Sequence, residues 1–223
     1  MTLKELKISS YLAKTISGDE KSYLKITNTK LDLTKEADAA TVLKFLNDWG
    51  CRQFKKDNHK NAAEDLKRWY RKNESSLPSF TQTLSEHSDN KIKSYSKIFD
   101  ELQYSYASTD KRGIIKSVGP VGAAKILFAL RKQAFPPWDN PIIESLGKSR
   151  SGDGYVSYLF YIKEKIAELK RECDRKGINV KIVPKLLERP HASLVKQVDE
   201  YLWLTITRKI EPSKIISIAK NAS

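Results

Sequence analysis

A chain of 223 residues, 39% apolar and 30% charged, can bury one substantial core or two small lobes that share a cleft. No segment approaches the roughly 18 uninterrupted apolar residues of a bilayer-spanning helix, and the opening MTLKELKISSYLAK lacks the basic start, apolar block and small-residue cleavage site of a secretory signal. A cytoplasmic protein is expected, nucleoid-associated if the source is bacterial, and 41 Lys and Arg against 27 Asp and Glu give it a formal charge of +14 that favours a polyanionic partner such as nucleic acid.

Within the first 33 residues, SYLKIT and KLDLT flank Asn28-Thr29 in the pattern of a small β-hairpin near the N-terminus. From Thr34, read as a cap with Glu36 and Asp38 in the first turn, Ala39, Val42, Leu43, Leu46 and Trp49 recur at helical spacing up to Gly50. Ala62, Leu66 and Trp69 mark a second helix over about 61–72, closed by Leu77-Pro78, and Ile92, Tyr95, Ile98, Phe99 and Leu102 a third. Cys51 and Cys173 are too few and too far apart for a local metal ligand set, and His59, His87 and His191 share no helical turn, so buried thiols and no metal are expected.

The next stretch is Ile114-Ile115-Lys116-Ser117-Val118-Gly119-Pro120-Val121-Gly122-Ala123-Ala124-Lys125-Ile126-Leu127. A short helix, a glycine turn and a second helix would gather backbone N–H groups and a positive dipole end, which suit a phosphate. Val118, Gly119, Val121 and Gly122 are the expected phosphate-binding turn, with Lys116 and Lys125 adding charge beside it.

Downstream, Phe135-Pro136-Pro137-Trp138-Asp139-Asn140-Pro141 sets a lone carboxylate before a second Pro-containing helix start. Read alone, Asp139 is a helix N-cap. Gly147 to Gly154 reads as a flexible loop. Its Gly147-Lys148-Ser149 is not a nucleotide-binding P-loop, because the upstream glycine of that motif would fall on Ile142. Tyr155, Tyr158, Leu159, Ile162, Ile166, Leu169 and Cys173 follow the rhythm of a long amphipathic helix ended by Gly177, and further helices are expected over about 182–187 and 193–207.

The turn and the acid together resemble the helix-hairpin-helix DNA glycosylase superfamily that includes endonuclease III. The hairpin of that family reads apolar-Pro-Gly-apolar-Gly; Val118, Val121 and Gly122 fit it, while Gly119-Pro120 reverses the usual Pro-Gly. The resemblance is specific from Lys111 to Leu146. It implies a mainly α, two-lobed fold, with a central bundle over 34–147 and a second lobe formed by 1–33 with 148–223. It also implies a cleft between the lobes, a catalytic role for Asp139, and double-stranded DNA containing a modified base as the substrate of a monomeric enzyme.

An acid suits that reaction. Cleaving an N-glycosidic bond develops positive charge on the deoxyribose, which a carboxylate stabilises while orienting or deprotonating water. The base must first leave the stack and enter a pocket. Family members that also cut the backbone carry a lysine two residues after the last hairpin glycine; here that position is Ala124, which cannot form an imine. The resemblance therefore implies a monofunctional glycosylase. Lys125 is the next residue, turned by about 100° along a helix, and a one-residue slip in the turn would bring it into that role. The family's four-cysteine iron–sulfur cluster has no counterpart, since only Cys173 follows the motif, and no cofactor is expected.

Trp138, beside Asp139, is the candidate wall of a base pocket, whereas Trp49, Trp69, Trp203, Tyr155, Tyr158 and Tyr201 read as core at helical spacing. Nothing in the sequence chooses between Glu200 and Glu144 as a further acid. The alternative function is a DNA-binding protein with the grip but without the chemistry.

Overall fold

The computed structural model describes residues 1–18, 20–27 and 29–221, with side chains through 216. Eleven α-helices occur among these described residues, with one two-stranded sheet. No described helix is long and apolar enough to cross a membrane.

The N-terminal segment is helical. Helix α1 (Leu3–Ile16) opens on a capping box in which Thr2 and Glu5 satisfy each other's backbone amides. SYLKIT lies in α2 (Glu20–Thr27), and KLDLT is not a strand, so no β-hairpin forms there. Tyr23 and Ile26 explain the outcome: three residues apart, they reach one face and are both buried, which alternating strand faces would not allow. Asn28, within the expected turn, lies outside the described residues.

Helix α3 (Glu36–Asp48) begins after Lys35. Thr34 is not its cap, because Asp32 holds Thr34 in a local turn, accepting from its amide at 2.9 Å and its hydroxyl at 2.7 Å. Helices α4 (His59–Asn73) and α5 (Asp89–Gln103) carry the expected apolar faces.

Between α5 and the glycine turn the chain departs from the expected first helix. Strand β1 (Tyr106–Thr109) pairs antiparallel with β2 (Ile115–Ser117). The turn between them explains the choice: Asp110 Oδ1 accepts from the amides of Arg112 (2.9 Å) and Ile114 (3.0 Å), and Gly113 adopts φ of 79°. The motif is thus strand, turn and helix, leading into α6 (Gly119–Leu130).

Helix α7 (Asn140–Ser145) is followed by the long α8 (Gly152–Arg175), which packs along α5. Gly152 and Gly154 do not belong to a flexible loop. They lie in the first turn of α8, where an added Cβ would stand 2.1 Å from the Ser96 carbonyl and 1.8 Å from that of Ser149. Close backbone approach is what requires glycine there. Helices α9 (Val183–Leu186) and α10 (Leu194–Leu202) follow, then a π-helical turn over Trp203–Thr207 and α11 (Pro212–Asn221).

The main core runs from Tyr23 to Leu202 and includes residues from both expected lobes. Leu6, Leu169, Cys173, Val183 and Leu187 form a smaller cluster drawn from the terminal segments alone. Cys51 and Cys173 are both buried as free thiols.

Candidate active site

Asp139 is the N-cap of α7. Its Oδ1 accepts from the Ile142 amide at 2.9 Å, and its Oδ2 accepts from the Thr207 hydroxyl at 2.9 Å. One oxygen is fixed locally by the cap; the other is held from the π-helical turn 68 residues away. The two bonds set the carboxylate plane, and Asp139 remains partly accessible.

The carboxylate borders a cavity of about 250 Å³. Trp49, Trp138 and Trp203 supply aromatic surface, Lys125 and Lys196 supply cations, and Asp199 and Glu200 supply further carboxylates. Five separate segments meet here: the ends of α1 and α3, the middle of α6, the start of α7, and α10 with its π-helical continuation.

Trp138 lines this space from below. It is 1% exposed, with Phe99 and Tyr155 edge-on to its ring, and its Nε1 donates to the Pro120 carbonyl at 3.0 Å. That bond ties the first turn of α6 directly to the residue before Asp139. Tyr155 and Tyr158 fix the same segment by donating their hydroxyls to the carbonyls of Pro136 (2.8 Å) and Pro137 (3.2 Å). Trp203 is less buried and carries Arg208 over its ring at 4.7 Å.

Lys125 does not point elsewhere. It lines the cavity with Asp139, donates to the Trp49 carbonyl, and lies 5.8 Å from the centre of the Trp49 ring. The expected rotation of about 100° away from Ala124 is what puts it there, since Ala124 is packed wholly inside the core. Lys125 is therefore part of the cavity, with its ammonium held by the Trp49 carbonyl.

The turn residues themselves divide. Val118 and Gly122 are buried beneath Gln53, whose Nε2 donates to the Val118 carbonyl at 2.6 Å. A Cβ at Gly122 would approach Val118 Cγ1 to 3.0 Å and Gln53 Nε2 to 3.1 Å, so this glycine permits packing inside the protein. Gly119, at φ of 69°, and Val121 are the accessible pair, in a first turn with no side-chain cap and no acid. Lys116 is exposed but shares Asp110 with Arg112, at 3.7 and 3.6 Å.

Behind the cavity lies a buried charge network absent from the sequence expectations. Lys196 sits 3.2 Å from Glu200, 3.6 Å from Asp199 and 4.9 Å from the Trp49 ring centre. Glu200 also meets Arg189, which reaches Glu20 at 2.6 Å and the Ser10 hydroxyl at 3.1 Å. Glu200 thus belongs to the site, whereas Glu144 is exposed and paired with Arg150 at 2.8 Å. Burial pushes the Asp199 carboxyl up to about 7, with the Lys196 ammonium opposing and the Asp139 and Glu200 carboxylates adding to it. The i, i+3 and i, i+4 spacing of Lys196, Asp199 and Glu200 was visible in the sequence; their burial was not.

No family model, curated protein or solved structure matches this chain.

Proposed function

We propose that the protein is a DNA N-glycosylase that removes a damaged, mismatched or modified base, with Asp139 as the catalytic carboxylate. The observation that supports this most is the setting of Asp139: a carboxylate anchored through both oxygens at the edge of a cavity lined by three indoles and two lysines. A flipped base would stack against indole surface, and the sugar would remain at the rim by Asp139. As the glycosidic bond lengthens, the carboxylate stabilises the positive charge on the sugar. Water then adds at C1′ and its proton passes to a base such as Asp139, while the nucleobase departs with the bonding electron pair. The charge of +14 supports duplex DNA as the partner, held through its phosphates.

The test is release of base from a panel of duplexes that each carry one modified base, read by alkaline cleavage at abasic sites. Asp139→Asn is expected to bind the same duplex with unchanged affinity and to release base at least about a hundredfold more slowly. Equal turnover in the variant would remove Asp139 from the chemistry.

A second reading of the same site is favoured by one observation, the presence of Lys125 in the cavity. A neutral Lys125 amine attacking C1′ would displace the base and leave an imine with the opened sugar, so that backbone cleavage could follow.

A further inference from the structure

A second and larger cavity, of about 970 Å³, reaches the start of α10 and shares no lining residue with the cavity beside Asp139. Its volume is at the upper end of the roughly 300–1,000 Å³ typical of small-molecule sites. Leu84, Leu130, Ile166, Leu194 and Val195 give it an aliphatic floor, between the C-terminal end of α6, the middle of α8 and the start of α10.

The charge around that floor is one-sided. Lys30, Lys132, Lys163, Lys170, Lys181 and Lys185 line the cavity, and Glu86 is its one acid among the described residues. Lys163 and Lys170 are paired with Asp89 and Asp174, and Glu86 is engaged by the Thr83 amide at 2.8 Å. Lys30, Lys132 and Lys185 have no ion-pair partner among the described residues. Lys132 is half-buried as well, and loss of water drives its amine below the usual lysine range. A cation in that position gains from any anion that replaces its missing solvation.

The lining also selects the body of the ligand. Phe80 is its one aromatic side chain among the described residues, and the ring already has the Arg131 guanidinium at 3.9 Å and the Lys30 ammonium at 5.7 Å. Little aromatic surface is left for a nucleobase. Aliphatic side chains suit a hydrocarbon chain.

We propose that this cavity binds a free single-chain amphipathic anion, its head among Lys132, Lys185 and Lys30 and its hydrocarbon on the Leu84–Leu130–Ile166 floor. This assignment is independent of any reaction at Asp139.

Titration calorimetry of the full chain with dodecanoate, below its micellar concentration, tests it. One saturable site is expected, with dodecyltrimethylammonium failing to bind. Lys132→Glu should weaken dodecanoate at least about tenfold, the scale of reversing one partly desolvated charge near the head. Lys185→Glu, at an exposed position, should weaken it in the same direction and guards against a misfolded first variant. Asp139→Asn should leave it unchanged. The assignment is overturned by the absence of a saturable site, by equal affinity for the cationic surfactant, by affinity that neither lysine variant moves, or by displacement of dodecanoate by stoichiometric duplex DNA. Binding only to vesicles of anionic phospholipid, and not to free dodecanoate, would equally overturn it.

Discussion

Thr207 donates its hydroxyl to Asp139 Oδ2 across 68 residues of chain, while the other oxygen of Asp139 caps α7. Capping and catalysis place different demands on this carboxylate. Asparagine retains a side-chain oxygen for the Ile142 amide but has no negative charge. Asp139→Asn is therefore expected to keep its melting temperature and DNA affinity while base release falls by about 10² or more. Asp139→Ala should in addition lose about 1 kcal/mol of stability through the missing cap. Thr207→Val tests the second bond: a smaller loss of turnover than Asp139→Asn, with unchanged DNA affinity, is the expected result. Full turnover in Thr207→Val would show that the cap alone orients the acid.

Lys125 and Asp139 line one cavity, so the two proposed chemistries can be separated by trapping. If water is the nucleophile, borohydride added during turnover yields no covalent protein–DNA adduct. An adduct that disappears in Lys125→Gln would assign imine chemistry to this lysine. An adduct that survives that substitution would point to another amine and exclude Lys125.

Asp199 gives the fold a distinctive pH response. Its carboxyl titrates at about 7 in the folded chain against an ordinary value of 3.8, so between those values the folded state retains a proton that the unfolded state has released. The folded state binds more protons there, and its stability falls as pH rises through that window, then levels above it. Asp199→Asn abolishes this contribution. Melting temperatures of variant and parent compared from about pH 4 to about pH 7 should shift progressively in favour of the variant. A difference that stays constant across that range would mean that Asp199 is ionised throughout.

The helices were largely legible because their apolar residues recur at three and four, as in Ala39, Val42, Leu43 and Leu46 of α3, all of them buried. Two further departures from the sequence reading, besides the helical N-terminal segment and the glycines of α8, are decided by short-range polar chemistry. Asp110 folds its turn back and makes 115–117 a strand, and Asp32 captures Thr34 before it can cap. Asp139 was legible as a cap from Asn140-Pro141, yet its second bond depends on Thr207, and no local pattern links them. The same holds for Lys196, Asp199 and Glu200. Their spacing resembles an ordinary solvated helix face, and the packing of α1 and α8 against α10, with Trp49 against Lys196, encloses them.

Gly119 and Gly122 allow the expected DNA grip to be tested apart from packing. Gly119 occupies a left-handed conformation, and a Cβ placed on it would meet no atom within 4 Å, so Gly119→Ala strains the entry to α6 by about 1 kcal/mol without a clash. Duplex affinity should fall alike for every sequence, as expected of a backbone contact. Gly122→Leu instead forces Gln53 and Val118 apart and should lower the melting temperature. Sequence-selective loss in Gly119→Ala, seen in binding titrations with unrelated duplexes, would remove this turn from phosphate binding.

Arg189 fastens the wall of the cavity beside Asp139. It is almost wholly enclosed and joins α1, α2 and α10 through Ser10, Glu20 and Glu200. Removing one member of a buried ionic set leaves an uncompensated charge, which costs about 3–5 kcal/mol. Arg189→Met should therefore unfold at much lower denaturant. Glu200 would keep Lys196 at 3.2 Å, but its side facing Ser10 and Glu20 would have lost its cation. Glu200→Gln removes the same Arg189–Glu200 pair from the other side, so the double variant should lose less than the sum of the two single losses. Chemical denaturation of both single variants and the pair measures the coupling directly. Strictly additive losses would mean that Arg189 acts through its contacts with Ser10 and Glu20, and that the wall beside Asp139 does not depend on the Arg189–Glu200 pair.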